Sequence, residues 1–195
     1  MGGTFDPIHY GHLVAAESAR TAFGLTGVLF VPAAAPPHKA SRHISPAEHR
    51  LMMTQLATIT NPYFTVSRIE LDREGTSFTV DTLRTLQMNE PDVELYFITG
   101  ADAVLQIFTW KDAKEILSMA TVIAATRPGY SLGELRTLQH HFGTDLSKIH
   151  ILEVPALAIS SSDIRKRLHK QQSIRYLVPE PVEYYVRKNK LYGAE

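Results

Sequence analysis

Two short strings in this chain carry side chains able to hold and polarise phosphate. The first, Gly2-Gly3-Thr4-Phe5-Asp6-Pro7-Ile8-His9-Tyr10-Gly11-His12, joins two glycines to two histidines three residues apart at a helix entry. Glycine lets a backbone approach a ligand closely, and the N–H groups and dipole of a helix start favour an anion. Imidazole donates to a phosphate oxygen without a large permanent charge. The pair His9-x-x-His12 is also compatible with a metal pair, or with plain helix capping. The second string, Ile159-Ser160-Ser161-Ser162-Asp163-Ile164-Arg165, gathers hydroxyls, free N–H groups and a guanidinium around another helix start. Serine is equally an ordinary N-cap, so this string alone is compatible with capping. Together they predict a nucleoside triphosphate lying between two helix N-termini at the carboxyl edge of a sheet.

Such a site needs a parallel sheet with crossover helices, and the chain alternates accordingly. Apolar runs rich in β-branched or aromatic residues predict strands at Val28–Val31, Phe64–Val66, Leu95–Thr99, Thr121–Ala125 and Ile149–Val154. A helix is predicted over His12–Phe23, stopped by Gly24 as the residue after its C-cap. Ser45-Pro46-Ala47-Glu48 predicts another, with Ser45 as N-cap, Pro at the first position and Glu three residues on. Further helices are predicted at Thr79–Gln87, Ala101–Phe108, Asp112–Met119, Leu132–Phe142, Ser161–His169 and Pro181–Lys188. The long loop Pro32–Ser45 carries Pro36-Pro37-His38-Lys39 and has the length of a functional lid. No strand precedes the glycine loop, because Met1 stands directly before Gly2. The expectation is therefore a doubly wound, Rossmann-like, mainly parallel α/β sheet whose first strand is missing, in a chain that begins late.

The chain has 195 residues, which predicts one domain over 1–195 with a C-terminal helical segment from about 161 packed on it. Lys plus Arg and Asp plus Glu are both 20, so bulk electrostatics supports neither nucleic acid nor an anionic membrane as partner. Cysteine is absent, which excludes disulfide scaffolds, thiolate metal sites and cysteine nucleophiles. With no signal-like N-terminus and no apolar run near the roughly 18 residues of a membrane helix, a cytoplasmic location is expected. A homo-oligomer is compatible with the composition.

At this point the sequence resembles the nucleotidyltransferase superfamily, through its His-x-Gly-His signature in GGTFDPIHYGH and its second motif in ISSSDIR. Within it the chain is similar to the nicotinate-nucleotide adenylyltransferases, in the strings PPHK, EGTSFTVDTL, ITGAD, Thr109-Trp110, RPGY and LVPEPVEYYVRKNKLY. The resemblance implies a Rossmann-like fold and transfer of AMP from ATP to nicotinate mononucleotide, releasing pyrophosphate. It implies that Gly2, Gly3, Thr4 and Phe5 line the phosphate loop, that His9 and His12 contact the ATP phosphates, and that Ser160, Ser161 and Arg165 hold the triphosphate tail. Gly100, Asp102 and Arg127 would lie near adenosine or ribose. Thr79, Trp110 and the Lys111 main chain would recognise nicotinate, with His38 and Lys39 on the acceptor phosphate. Taken alone, Trp110 also reads as a core aromatic and Thr79 as a helix-entry hydroxyl.

The residue types suit that reaction. An acceptor phosphate is already a nucleophile, so positioning and charge stabilisation remain for the protein, with His12, His9 and Arg165 as catalytic candidates. Mg²⁺ is expected on the substrate phosphates rather than on protein side chains. Three departures from the family pattern stand out: Ser162 where Thr is usual, Ala33-Ala34-Ala35 after Pro32 where Asn is frequent, and the missing strand. Rival readings are an adenylyltransferase for nicotinamide mononucleotide or a pantetheine phosphate, a class I tRNA synthetase, and a non-catalytic nucleotide sensor. The lack of a lysine loop and of room for tRNA opposes the synthetase.

Overall fold

The computed structural model describes residues 1–36, 44–126, 146–155 and 157–194. Among these residues, six parallel strands alternate with helices: β1 (Gly2–Gly3), α1 (Tyr10–Ala22), β2 (Val28–Pro32), α2 (Ala47–Thr58), β3 (Phe64–Val66), α3 (Thr79–Asn89), β4 (Leu95–Gly100), α4 (Ala101–Val104), α5 (Ala113–Met119), β5 (Ala120–Thr126), β6 (Ile149–Glu153), α6 (Ser161–His169) and α7 (Glu180–Lys188). Short 3₁₀ turns occupy Ile107–Thr109, Leu146–Lys148 and Leu191–Gly193. β2 lies between β1 and β3, and β5 between β4 and β6. These are two three-stranded sheets; β1 lies against β4 without pairing to it, with Gly2 facing the Phe97 ring, which sets the strands side by side in the spatial order 3-2-1-4-5-6. The order reverses between β1 and β4, and ligands of open α/β sheets bind above such a point.

Strands covered on both faces read as apolar runs, and β5 is buried at every residue but Ala125. Its register sets Ile123 opposite Ile98 on one side and His150 on the other. α1 ends as predicted: Gly24 adopts a φ of 61° and the Leu25 N–H reaches back to the Arg20 carbonyl at 2.9 Å. α2 differs from the prediction. Pro46, not Ser45, is its N-cap, because the Ser45 carbonyl is taken by Arg50 and Glu48 turns outward to pair with Arg68. The segment predicted as one helix over Ala101–Phe108 is a four-residue helix followed by a 3₁₀ turn. The predicted helix Leu132–Phe142 lies outside the described residues.

The first strand is not wholly missing, which corrects the expectation. β1 is a two-residue strand whose register sets Gly2 opposite Val31 and Gly3 opposite Pro32. The Met1 ammonium donates to the Leu29 carbonyl at 2.7 Å, and the Val31 N–H donates to the Met1 carbonyl at 2.9 Å. Behind it, between Val28–Leu29 and Leu95–Ile98, a largely apolar cleft of about 550 Å³ opens.

Two apolar clusters hold the layers. One joins Ile98 and Ile123 with Phe5, Ile8 and Phe30 and with Leu168, Ile174, Val178, Val182 and Val186, so the C-terminal helices pack directly on the glycine loop and its strands. The other packs Val80, Leu83, Val104 and Ile116 against β4 and β5.

Candidate active site

The loop after β1 is built around close approaches. A Cβ on Gly3 would sit 2.6 Å from the Phe5 ring, which itself is buried with a φ of 48°. The loop's carbonyls are held from outside: Arg50 Nη1 donates to Thr4 O at 2.8 Å, Arg165 Nη1 to Asp6 O at 2.6 Å, and Ser161 Oγ to Pro7 O at 2.9 Å. Arg50 is 1% exposed and also donates to Ser45 O and Ala34 O, so one guanidinium pins three chain segments. Burial lowers its pKa, opposed first by the charge of Asp6.

Above the loop lies a cavity of about 300 Å³ bounded by Thr4, His9, His12, Ser160, Ser162 and Arg165, among others. The two strings predicted to face one anion do meet here. His9 and His12 stack with ring centroids 3.8 Å apart, and Phe5 meets His12 edge-on at 5.1 Å. A Cβ on Gly11 would approach the His9 ring to 3.0 Å, so a side chain between the histidines would crowd that ring. The His9 main-chain N–H donates to His12 Nδ1 at 3.2 Å. That bond needs an unprotonated Nδ1, which leaves the ring proton on Nε2 as the donor. His9 is 6% exposed with an unpartnered Nδ1, and burial lowers its pKa to about 4, so it is neutral at pH 7.

The buried Met1 ammonium behaves likewise, its pKa lowered to about 5 by loss of solvent. Both groups are bases whose folded-state pKa lies below the unfolded value. The unfolded chain therefore binds more protons between about pH 4 and pH 8, and stability rises with pH across that window. Thermal unfolding of the chain with a free Met1 amine is expected to shift upward by at least about 5 °C from pH 5 to pH 8. A flat profile would contradict the burial of these two groups.

At the second helix start, Ser160 caps α6 by accepting from the Asp163 N–H at 3.1 Å. Ser161 spends its proton on Pro7, so it joins the two strings. Arg165 keeps one edge on Asp6 and the other near Ser162 Oγ, at 3.4 Å.

A second cavity, also about 300 Å³, is bounded by Gly2, Gly3, Thr4, Ser77, Phe78, Thr79, Phe97 and Trp110, with Lys111 at its rim. Trp110 is half-buried and meets Phe97 edge-on at 5.9 Å, so it stands at a pocket wall rather than in the core. Lys111 directs its ammonium to Asp81 at 3.0 Å. Ser77 Oγ accepts from the N–H groups of Ala34 and Ala35, fixing the segment that departs from the family pattern. Thr4 borders both cavities.

Gly100 and Asp102 are exposed at the carboxyl end of β4 and border neither cavity. His38, Lys39 and Arg127 lie outside the described residues. Sequence reasoning passed over Arg50, Asp6, Ser77 and Tyr192 as site residues. Among the described residues no group of three or more His, Asp or Glu is placed to hold a metal ion, and none forms a helix long and apolar enough to cross a membrane.

The family model described as cytidylyltransferase-like matches residues 1–167. A curated relative from Moorella thermoacetica, named "Probable nicotinate-nucleotide adenylyltransferase", is 55% identical over 98% of this chain and 89% of that protein. One of the same name from Streptomyces coelicolor is 50% identical over the full length of both. Among solved structures, the Plasmodium falciparum nicotinic acid mononucleotide adenylyltransferase complexed with NaAD superposes with a TM-score of 0.79 over 100% of this chain and 96% of that one. At 22% identity this last likeness concerns the fold. Matched along its whole length by relatives of one name, the chain belongs to the nicotinate-nucleotide adenylyltransferases of the cytidylyltransferase-like family.

Proposed function

We propose that this chain, as one domain over 1–195 in the cytoplasm, transfers AMP from ATP to nicotinate mononucleotide, giving nicotinate adenine dinucleotide and pyrophosphate in NAD biosynthesis. The observation that carries the reading is the junction of two cavities at Thr4, one edged by N–H, hydroxyl and guanidinium donors and the other by aromatic rings. A polyphosphate in the first and a pyridine in the second bring an acceptor phosphate to the α-phosphorus of ATP. One oxygen–phosphorus bond forms as the bond to the β-phosphate bridge breaks, and the pair leaves on pyrophosphate. No protein nucleophile is required.

In this reading His12 donates Nε2–H to the phosphates, His9 stacks on it as a neutral support and phosphate contact, and Arg165 meets the departing pyrophosphate, with Ser160 and Ser161 at the same helix start. Gly2, Gly3, Thr4 and Phe5 shape the loop, Gly100, Asp102 and Arg127 serve the adenosine side, and Thr79, Trp110 and the Lys111 main chain face the pyridine, with His38 and Lys39 on its phosphate. The groups bordering the first cavity are mostly hydrogen-bond donors, and its carboxylate, Asp6, is already engaged. Such a set fits a polyphosphate and not a bare cation, so Mg²⁺ would arrive on the phosphate oxygens and neutralise their charge.

The test is pyrophosphate release from ATP with nicotinate mononucleotide, nicotinamide mononucleotide or a pantetheine phosphate as acceptor. Release that is fastest with nicotinate mononucleotide is expected. Faster release with either alternative acceptor would reassign the acceptor cavity. ATP binding without release under any acceptor would leave a nucleotide sensor.

A further inference from the structure

The C-terminal tail reaches the loop after β1 at Asp6. Tyr192, in the turn Leu191–Gly193, donates its hydroxyl to Asp6 Oδ1 at 2.5 Å across 186 positions of sequence. Its backbone is left-handed, with a φ of 58°, and so is that of Phe5 on the other side of the contact, with a φ of 48°. Non-glycine residues persist there only where their surroundings hold them. The turn is indeed held: Gln171 Nε2 donates to Gly193 O at 2.9 Å, and Ala194 is buried in the main cluster. Asp6 is 4% exposed; its Oδ2 accepts a long bond from the Ser45 N–H at 3.4 Å and lies 4.0 Å from Arg165 Nη1. Burial first, then the charge of Asp6, raises the Tyr192 pKa, so the hydroxyl remains a donor.

Asp6 is thus a carboxylate at the edge of a cavity suited to an anion. Two things can go wrong with it. Its charge repels a polyphosphate, and a shift of about 1 Å would turn the 4.0 Å separation into a direct pair that draws Arg165 away from the cavity. We propose that Tyr192 is a positioning residue for ATP: by holding Asp6 Oδ1, it offsets that charge and keeps Arg165 on the Asp6 main-chain carbonyl, with its guanidinium open to the polyphosphate. The inference rests on the nucleotide reading of this cavity.

Y192F removes the hydroxyl and keeps the ring. The expected result is a KM for ATP, and a Kd for inorganic pyrophosphate by calorimetry, each raised about 10-fold, the size of losing one hydrogen bond to a buried charge. The KM for nicotinate mononucleotide should stay within about 2-fold, because the acceptor cavity is not touched. D6N removes the charge that Tyr192 controls, so D6N and D6N/Y192F should share one KM for ATP. The proposal is overturned if Y192F keeps the wild-type KM for ATP, if kcat drops and both KM values rise together with a loss of thermal stability, or if Y192F is as damaging in the D6N background as in the wild type. A wild-type chain that binds neither ATP nor pyrophosphate would instead refute the nucleotide reading itself.

Discussion

Replacing His12 by alanine is expected to lower kcat about 100-fold while costing only about 1 kcal/mol of stability. The two magnitudes come from opposite ends of one ring. Nδ1 accepts the His9 N–H and serves the helix start, so its loss resembles the loss of a capping side chain. Nε2–H is the ring's donor, and a preorganised donor to developing charge contributes about 10²-fold or more. A capping defect of that size leaves nearly all molecules folded, because domain stabilities run to about 5–15 kcal/mol. His12→Asn, whose Oδ1 can still accept at the cap, should recover the melting temperature and not the turnover. Near wild-type turnover in His12→Ala, measured by pyrophosphate release, would remove His12 from the chemistry.

Replacing Arg50 by leucine is expected to cost about 3–5 kcal/mol of unfolding free energy in urea. Leucine keeps an apolar stem in the core but leaves the carbonyls of Thr4, Ala34 and Ser45 without their donor. It also deprives Asp6 of a buried countercharge. Removing one partner of a buried polar network costs far more than the network contributes over an apolar substitute, since the remaining groups stay desolvated. A loss below about 1 kcal/mol would show that water replaces the guanidinium and that the three segments are held by packing alone.

Much of the fold is legible in the sequence for a physical reason. Central strands of a parallel sheet are covered on both faces, so β2, β4 and β5 stand out as apolar runs. β6, at the edge with His150 and Glu153 exposed, shows through its isoleucines and leucine, and the boundaries of all four fall within a residue of expectation. β1 is hidden because its two residues are glycines, which carry no side-chain pattern. Legibility of the site divides along the same line. Residues that act through adjacent backbone, as in the glycine loop and at the start of α6, declare themselves in short strings. Arg50, Ser77 and Tyr192 do not, because their bonds to the site segments reach across as many as 46, 43 and 186 positions. Arg50 did leave one local sign: it shares a helix face with the buried Met53, Thr54 and Ala57, where a charge is out of place unless satisfied.

The loop carbonyls held by Arg50, Arg165 and Ser161 have a thermodynamic consequence. The backbone from Thr4 to Pro7 is fixed by side chains of α2 and α6 before any ligand arrives. Ordering a free segment costs roughly 1–2 kcal/mol per residue in conformational entropy. Here that entropy is lost on folding, so a small anion can be held by a few bonds in a chain with no net charge.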